Sequence, residues 1–181
     1  MQSADQIRAR ARRLKLMAFD IDGVLTDGAL FFTDDGIEIK AFNSRDGLGL
    51  KMLQKAGISV AIITGRKARC VEWRMQNLGI DLLYQGIENK WETMQILLDR
   101  LGIGADEAGY MGDDVVDLPV MNACGFSATP ADSHALAKRH ARLISSQAGG
   151  HGAVREVCEF ILDAQGKLDA ALAPYLPVNS Q

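Results

Sequence analysis

Hydrophobic and polar positions alternate in blocks along the chain, and the blocks predict strands and helices in turn. Short apolar runs, such as residues 16–19 and 58–63, are typical of strands buried on both faces of a parallel sheet. The segments between them carry apolar residues every three or four positions, which is the spacing of amphipathic helices. Further strands are predicted at 81–84, 107–111 and 125–128, and helices at 4–14, 48–53, 66–77, 89–101, 131–139 and 154–165, with a short helix near Pro119.

The alternation of strands and helices predicts an α/β fold, namely a doubly wound three-layer sandwich with a mostly parallel sheet. Two short apolar runs, 29–32 and 37–41, flank a Thr-Asp-Asp-Gly turn and predict a small β-hairpin inserted after the first strand. The rest of the chain before the second long strand has room for one helix, so no cap domain is expected. We expect a single domain over 1–165 and a C-terminal tail over 166–181.

Composition narrows the classes of protein that this chain can be. Of 181 residues, 48% are hydrophobic and 24% are charged, which excludes a largely disordered or fibrous protein. The net charge of −3 provides no field for binding nucleic acid. The three cysteines form no CxxC pair, and no apolar run approaches the ~20 residues that a membrane span needs. We therefore expect a cytoplasmic protein without nucleic-acid or membrane partners.

Polar side chains follow several of the predicted strands. Asp20 and Asp22 come directly after the first strand, Thr64 follows the second, an acidic cluster lies within 112–117, and Lys90 begins a helix. The carboxyl ends of parallel strands meet at one edge of a sheet, so these residues are expected to share one site. Carboxylates brought together repel one another unless a cation joins them, and Mg²⁺ is the cation that such oxygen ligands suit.

The same residues carry a family resemblance. Residues 19–26, Phe-Asp-Ile-Asp-Gly-Val-Leu-Thr, resemble the DxDGxxT signature of the haloacid dehalogenase-like phosphatase superfamily. Thr64, Lys90 and the Gly-Asp-Asp-Val-Val-Asp segment 112–117 match its second, third and fourth motifs, in order. Within that superfamily, the chain is similar to the phosphatases that act on 3-deoxy-D-manno-octulosonate 8-phosphate, in the pathway to the eight-carbon sugar of lipopolysaccharide. The segments that carry this similarity are 43–47, 62–66, 84–86 and 149–156.

The resemblance implies a Mg²⁺-dependent phosphomonoesterase. Asp20 is then the nucleophile that forms an aspartyl-phosphate, and Asp22 is the general acid and base. The carboxylates of Asp20 and Asp113 and the backbone carbonyl of Asp22 are the expected Mg²⁺ ligands. Thr64 and Lys90 are expected to bind the transferred phosphoryl group, whose negative charge calls for cationic and hydrogen-bonding partners.

The resemblance also implies supporting and substrate-binding residues. Asp114 and Asp117 are expected to orient Lys90 or metal-bound water. Arginine side chains suit the carboxylate of an acidic sugar phosphate. The expected substrate-binding residues are Asp22, Asn43, Ser44, Arg45, Asp46, Gly47, Lys51, Arg66, Arg74 and Lys90. A homotetramer is implied as well, with subunit contacts made by the hairpin over 29–41.

Three alternatives stay open on the sequence. A related nonulosonate 9-phosphate phosphatase would carry the same four motifs. A phospho-accepting receiver domain uses a similar set of residues without hydrolysing a substrate, but its phosphorylated Asp follows a strand in the middle of the sheet, and it lacks an acid/base at the position of Asp22. A catalytically inactive scaffold with the same fold would not need Asp20, Asp22, Lys90 and Asp113 together.

Overall fold

The computed structural model describes residues 3–176, so residues 177–181 of the predicted tail lie outside it. In chain order the strands are β1 (Leu16–Phe19), β2 (Phe31–Phe32), β3 (Glu38–Ile39), β4 (Ser59–Thr64), β5 (Leu82–Gln85), β6 (Ala108–Met111), β7 (Phe126–Thr129) and β8 (Leu143–Ile144). The α-helices are α1 (Ala4–Ala11), α2 (Ser44–Lys55), α3 (Arg69–Leu78), α4 (Lys90–Leu101), α5 (Leu118–Ala123), α6 (Ala135–His140), α7 (Ala153–Ala164) and α8 (Leu168–Leu172).

Six strands form one parallel sheet in the order β5-β4-β1-β6-β7-β8. β1 lies in the middle of the sheet. β4 and β5 extend the sheet on one side of β1, and β6, β7 and β8 extend it on the other. Strand β1 therefore lies at the point where the strand order reverses, with Phe19 opposite Ile62 of β4 and Met111 of β6. Ligand sites in doubly wound sheets form at the carboxyl ends of strands at this point.

The core consists of two apolar layers, one on each face of the sheet. Because side chains alternate along a strand, Phe19 and Ile62 face the layer covered by α2, α3 and α7, whereas Ala18 and Ile63 face the layer covered by α4 and α5. All four side chains are fully buried. Burial on both faces explains the continuous apolar runs in the sequence, and the predicted three-layer α/β fold is confirmed.

The predicted hairpin forms as a separate two-stranded sheet. Strand β2 pairs antiparallel with β3, with Phe31 opposite Ile39, and the turn between them places Gly36 at a φ of +79°. Apart from this hairpin, α2 is the one helix between β1 and β4 in the described chain. The fold therefore has no cap domain, as predicted.

Two short elements of the structure were not visible as patterns in the sequence. Strand β8 has two residues, which is too short to produce a periodicity. Helix α8 lies in the predicted tail, where Leu168 and Leu172 pack against the core. The division of the chain at residue 165 stays a prediction. No helix within 3–176 is long and apolar enough to cross a membrane.

The loop after β1 packs directly on the glycine-rich segment before α7. Gly150 N–H donates a hydrogen bond to the Val24 carbonyl at 2.9 Å. A Cβ on Gly149 would lie 2.0 Å from the carbonyl oxygen of Gly23, so no side chain fits there. The absence of a side chain at position 149 thus lets the C-terminal part of the chain fix the loop that follows Asp20.

We expect Gly149→Ala to lower the free energy of unfolding by about 1–3 kcal/mol, because two backbone segments must separate to admit the methyl group. Thermal unfolding followed by circular dichroism measures this. The matched control is Gly65→Ala, whose Cβ would lie 3.6 Å from the nearest atom, the Ile87 carbonyl oxygen, and which should be nearly neutral. A Gly149→Ala protein as stable as Gly65→Ala would contradict the predicted clash.

Candidate active site

A cavity of about 500 Å³ opens at the carboxyl ends of β1, β4 and β6. Its lining includes seven of the predicted site residues, which come from four separate stretches of the chain. These are Asp20, Asp22, Thr64, Arg66, Lys90, Asp113 and Asp114. The sheet therefore brings the residues of all four sequence motifs to one place.

Asp20 is the first residue after β1 and is almost completely buried. Its backbone N–H donates to the Met111 carbonyl at 3.0 Å, and its Oδ1 accepts a hydrogen bond from the Ile21 N–H at 2.7 Å. Burial raises the pKa of Asp20 to about 6, although the positive charge of Lys90 opposes this rise. The carboxylate is thus fixed in position and poorly solvated, as a reactive group must be.

Lys90 begins α4 directly after Asn89, whose Oδ1 accepts the Glu92 N–H and caps the helix. The Lys90 ammonium is buried and contacts Asp20 Oδ2 at 2.5 Å and Asp117 Oδ1 at 2.6 Å. Burial alone lowers its pKa, but attraction by the two carboxylates outweighs burial and raises the pKa above its usual value. Lys90 therefore stays charged and joins two strand ends.

Asp117 is fully buried and uses both carboxylate oxygens. Oδ1 accepts from Lys90 and from the Tyr110 hydroxyl at 3.2 Å, while Oδ2 accepts the N–H groups of Asp113 and Asp114 at 2.9 and 3.2 Å. A Cβ on Gly112 would lie 2.4 Å from Asp117 Cγ, which explains a glycine at the start of this motif. Asp117 thereby shapes the loop that presents Asp113.

The structure contains a group of carboxylates suited to a cation. Ligand atoms of Asp20, Asp113 and Asp117 lie within 4.8 Å of one another, and Lys90 is the one cation that contacts this group within the described residues. Burial, followed by repulsion from Asp117 and Asp20, raises the pKa of Asp113 to about 7. A Cβ on Gly23 would lie 2.1 Å from Asp113 Oδ2, so the loop after β1 closes against this carboxylate. Hard oxygen donors with excess negative charge fit Mg²⁺.

Asp22 lies beside the hairpin instead of in the carboxylate group. Its Oδ1 accepts a hydrogen bond from the ammonium of Lys40, which also contacts Glu38 Oε1 at 2.7 Å. Arg66, after β4, donates to both carboxylate oxygens of Glu38 at 3.2–3.3 Å. Within residues 3–176, Asp22 Oδ2 is buried and has no hydrogen-bond partner. Through Lys40 and Glu38 the hairpin therefore contacts two residues that line the cavity, Asp22 and Arg66.

Two other motif residues, Thr64 and Asp114, also line the cavity. Thr64 is the last residue of β4 and is 2% exposed. Asp114 is exposed and accepts the Val115 N–H at 2.7 Å, which caps the short 3₁₀ turn that ends at Asp117. Asp117 instead reaches the interior and contacts Lys90, so the two acidic neighbours have different surroundings.

Most of the predicted sugar-binding residues lie outside the cavity of their own chain. They are Asn43, Ser44, Arg45, Asp46, Gly47, Lys51 and Arg74, on or next to α2 and α3. Asp46 is fully buried, and its carboxylate accepts the N–H groups of Gly152 and Arg155 at 3.2 and 2.8 Å. It therefore caps the N-terminus of α7.

Two arginines among these predicted sugar-binding residues, Arg74 and Arg45, have different surroundings. Arg74 donates to the Asn43 carbonyl at 3.3 Å and lies against Gly47, where a Cβ would be 2.2 Å from its Nη2. Arg45 is exposed and, with His151, lines a separate cavity of about 220 Å³. Arg74 thus ties α3 to the start of α2, while Arg45 faces solvent.

Comparison with known proteins agrees with this geometry. Although no family model matches the chain, it is 49% identical over 169 residues to the 3-deoxy-D-manno-octulosonate 8-phosphate phosphatase KdsC of Escherichia coli, covering 93% of this chain and 89% of that protein. The Yersinia pestis phosphatase of the same name is 45% identical over 168 residues, covering 93% and 90%. The chain belongs to the 3-deoxy-D-manno-octulosonate 8-phosphate phosphatase family.

Solved structures of this phosphatase family share the whole fold. The phosphatase of Moraxella catarrhalis, in complex with a magnesium ion, a phosphate ion and a KDO molecule, superimposes with a TM-score of 0.94 at 39% identity, covering 96% of this chain and all of that one. The cobalt-bound phosphatase of Haemophilus influenzae has a TM-score of 0.86 at 41% identity, covering 89% and 94%. The receiver and inactive-scaffold alternatives therefore lose their basis.

Sequence reasoning missed three residues that border this site of the phosphatase. Lys40 and Glu38 contact Asp22 and Arg66, and the signal for them was present: residues 37–40 read Ile-Glu-Ile-Lys, which alternates apolar and charged positions. In a strand this alternation sends both charges to the same face. Tyr110, the third, lies inside the buried strand β6, where the sequence carries no sign of its contact with Asp117.

We expect divalent cations to stabilise this phosphatase more at about pH 8 than at about pH 5.5, because the carboxyls of Asp20 and Asp113, with pKa values of about 6 and about 7, bind protons at the lower pH and compete with the metal. Thermal unfolding with and without Mg²⁺ measures this. At a concentration near 100 times the Kd, the expected rise in Tm at the higher pH is roughly 5–10 °C.

Asp113→Asn should remove most of this stabilisation, whereas Asp99→Asn, an exposed carboxylate on α4, should leave it intact. An equal rise in Tm at both pH values, or a full rise in Asp113→Asn, would show that the cation binds elsewhere.

Proposed function

We propose that the chain hydrolyses 3-deoxy-D-manno-octulosonate 8-phosphate to the free sugar acid and phosphate, with Mg²⁺ as cofactor. The observation that carries the proposal is the buried arrangement of Asp20, Lys90, Asp113 and Asp117 at the carboxyl end of β1, in a member of this phosphatase family. The fold without a cap and the relatives' names support the same activity.

Asp20 acts as the nucleophile. One of its carboxylate oxygens forms a bond to phosphorus, and the bond between phosphorus and the sugar oxygen breaks. Asp22 gives its proton to the departing sugar oxygen. In the second half of the reaction Asp22 takes a proton from water, the water oxygen bonds to phosphorus, and the bond between Asp20 and phosphorus breaks. Two displacements thus regenerate both carboxyl groups.

The phosphoryl group is held by the remaining motif residues. Lys90 provides a fixed positive charge next to Asp20, and Thr64 provides a hydroxyl at the end of β4. Asp117 keeps Lys90 in place by a contact of 2.6 Å. Asp114 borders the cavity and supports the same loop. Positioning and charge stabilisation supply most of the catalysis of phosphoryl transfer.

Mg²⁺ would be held by the carboxylates of Asp20 and Asp113 and by the backbone carbonyl of Asp22. When bound, it neutralises charge on the phosphoryl oxygens and orients the group for in-line attack. The observation that supports this ligand set is the grouping of the Asp20 and Asp113 carboxylate oxygens within 4.8 Å of each other. Burial raises the pKa of both groups, and at Asp113 repulsion from Asp117 and Asp20 adds to the rise, so a cation placed there would be stabilising. Asp117 is already used by Lys90 and Tyr110 and serves to orient.

Substrate selection is assigned to cations around the cavity. Arg66 lines the cavity next to Asp22 and suits the sugar carboxylate. The other expected substrate-binding residues lie outside the cavity of their own chain. They are Asn43, Ser44, Arg45, Asp46, Gly47, Lys51 and Arg74. Those that contact the sugar would therefore do so in an assembly, where α2 of one subunit lies near the cavity of another. Asp46 and Gly47 would act through the shape of α2.

The assembly we propose is a cytoplasmic homotetramer built around the hairpin over 29–41. The hairpin exposes about half or more of five large apolar side chains, and such a concentration of exposed apolar residues is typical of an interface. The residues, with exposed fractions of 47–59%, are Leu30, Phe31, Phe32, Ile37 and Ile39. The hairpin also contacts the cavity-lining residue Asp22 through Lys40, so an assembly formed there would lie next to the open site of a protein without a cap.

The activity is tested by phosphate release from a panel of sugar phosphates, with Mg²⁺ and with EDTA. The panel contains the eight-carbon and nine-carbon keto-acid phosphates and, as a neutral sugar, mannose 6-phosphate. We expect Mg²⁺-dependent release that is fastest for the octulosonate 8-phosphate. Asp20→Asn should lose at least about 10³-fold in kcat, because it removes the nucleophile.

Asp99→Asn, an exposed substitution of the same kind on α4, is the matched control and should keep full activity. Faster release from the nine-carbon phosphate would favour a nonulosonate phosphatase. Equal release from all three would contradict the assigned specificity, and an active, folded Asp20→Asn would contradict the nucleophile.

The assembly is tested by light scattering coupled to size-exclusion chromatography. We expect the wild type to elute as a tetramer and the double variant Phe31→Ser/Phe32→Ser to dissociate, because each buried phenyl ring contributes about 1.5–3 kcal/mol. Ile96→Ser, at a residue of α4 that is 58% exposed, is the matched control and should stay tetrameric. A monomeric wild type, or a tetrameric double variant, would contradict this role of the hairpin.

A further inference from the structure

We infer that Lys40 is a positioning residue for catalysis: it holds one oxygen of Asp22 and leaves the other, which has no hydrogen-bond partner in the described chain, available to exchange a proton with the departing sugar oxygen. This inference rests on the function proposed above, in which Asp22 is the general acid and base. Lys40 belongs to none of the four motifs and lies just beyond β3, on the hairpin. The inference is drawn from the contact between the buried ammonium of Lys40 and the carboxylate of Asp22.

The Lys40 side chain is enclosed although the hairpin around it is exposed. It is 1% exposed, whereas its neighbour Ile39 is 51% exposed. The ammonium contacts Asp22 Oδ1 and lies 2.7 Å from Glu38 Oε1. A lysine that only solubilised the hairpin would extend into water instead. The side chain is therefore held between two carboxylates, of which Asp22 lines the cavity.

The two oxygens of Asp22 are in different situations. Oδ1 is held by Lys40, while Oδ2 is buried and has no hydrogen-bond partner among the described residues. Arg66 does not hold Oδ2 either, because its Nε lies 3.9 Å from this oxygen, beyond hydrogen-bonding distance. A buried carboxylate oxygen without a partner is costly, and such groups persist at functional sites. Oδ2 is thus the oxygen left for proton transfer.

Lysine suits this role because an ammonium donates hydrogen bonds and accepts none. It can fix Oδ1 without offering a second acceptor for the proton that Asp22 transfers. Glu38 holds Lys40 from the other side and also pairs with Arg66 at 3.2 Å. The three residues Glu38, Lys40 and Arg66 thus connect the hairpin to the end of β4 around Asp22.

The inference has a specific kinetic consequence. A sugar oxygen is a poor leaving group and needs the proton from Asp22, whereas nitrophenolate departs without one. For a reaction in two halves, kcat/KM reports only the first, in which the leaving group departs. Misplacing Asp22 should therefore lower kcat/KM for the sugar phosphate much more than kcat/KM for p-nitrophenyl phosphate.

We expect Lys40→Met to lower kcat/KM for the octulosonate 8-phosphate by about 10²-fold, the lower end of what a general acid contributes, and to lower that for p-nitrophenyl phosphate by less than about 5-fold. Its reaction with p-nitrophenyl phosphate should also show a burst of nitrophenolate, because hydrolysis of the aspartyl-phosphate still needs Asp22 as a base. Lys40→Arg keeps the charge and the donors and should recover most of the activity.

Lys15→Met is the matched control. Lys15 precedes β1 at the opposite edge of the sheet and pairs with Glu107 at 2.6 Å, so its loss removes a lysine–carboxylate pair remote from the cavity. Both substrates should react at wild-type rates. If Lys40→Met fails to fold, Lys40→Gln, which keeps a polar side chain of similar reach, takes its place in the same comparison.

Equal losses of kcat/KM for the two substrates in folded Lys40→Met would overturn the inference, since a merely structural lysine would affect both alike. Wild-type rates with both substrates would overturn it as well. A wild type that hydrolyses neither substrate would instead overturn the proposed function, and with it this inference. Measurements on the wild type thus test the proposed function, and measurements on the variant test the role of Lys40.

Discussion

The contact of Lys90 with Asp20 and Asp117 is the interaction on which the rest of the site depends. It joins the start of α4 to the ends of β1 and β6 across the switch point of the sheet. Removing one partner from a buried ion pair costs roughly 3–5 kcal/mol, because the remaining charge is left without compensation. The same lysine lowers the repulsion among the carboxylates that surround the cavity. The charge of Lys90 therefore both stabilises the fold and sets the electrostatics of the site.

Around that contact, small residues decide how closely the loops approach one another. Gly23 and Gly112 allow the loops after β1 and β6 to close on Asp113 and Asp117, and Gly149 lets the segment before α7 close on the loop after β1. None of these positions has room for a Cβ. The carboxylates are therefore held by backbone packing, which leaves little freedom to reorganise when the phosphoryl group arrives.

The sheet and the four motifs were predictable because both leave local signals. Continuous apolar runs such as 58–63 indicate strands covered on both faces, and the motif residues follow those runs directly. The role of Asp46 as a cap was not predictable, because it depends on a partner that the fold alone brings near. For Lys40, the alternation in residues 37–40 indicated a face shared with Glu38, but it did not indicate that this face meets Asp22. Asp46 caps α7, about a hundred residues later in the chain, and Lys40 reaches back to Asp22. Residue type gave no indication of either contact.

The residues of the site come from distant parts of the chain, and this affects when the site can form during synthesis of the polypeptide. β1 pairs with β6, whose residues follow much later, and Asp46 near the start of α2 caps α7, near the end of the described chain. Contacts so distant in sequence form late, since a long loop must close before they stabilise anything. A nascent chain that has released only β1 to β5 contains Asp20 without its neighbours Asp113 and Asp117. The group of carboxylates at the switch point is therefore complete only after β6 and the loop that follows it have been synthesised.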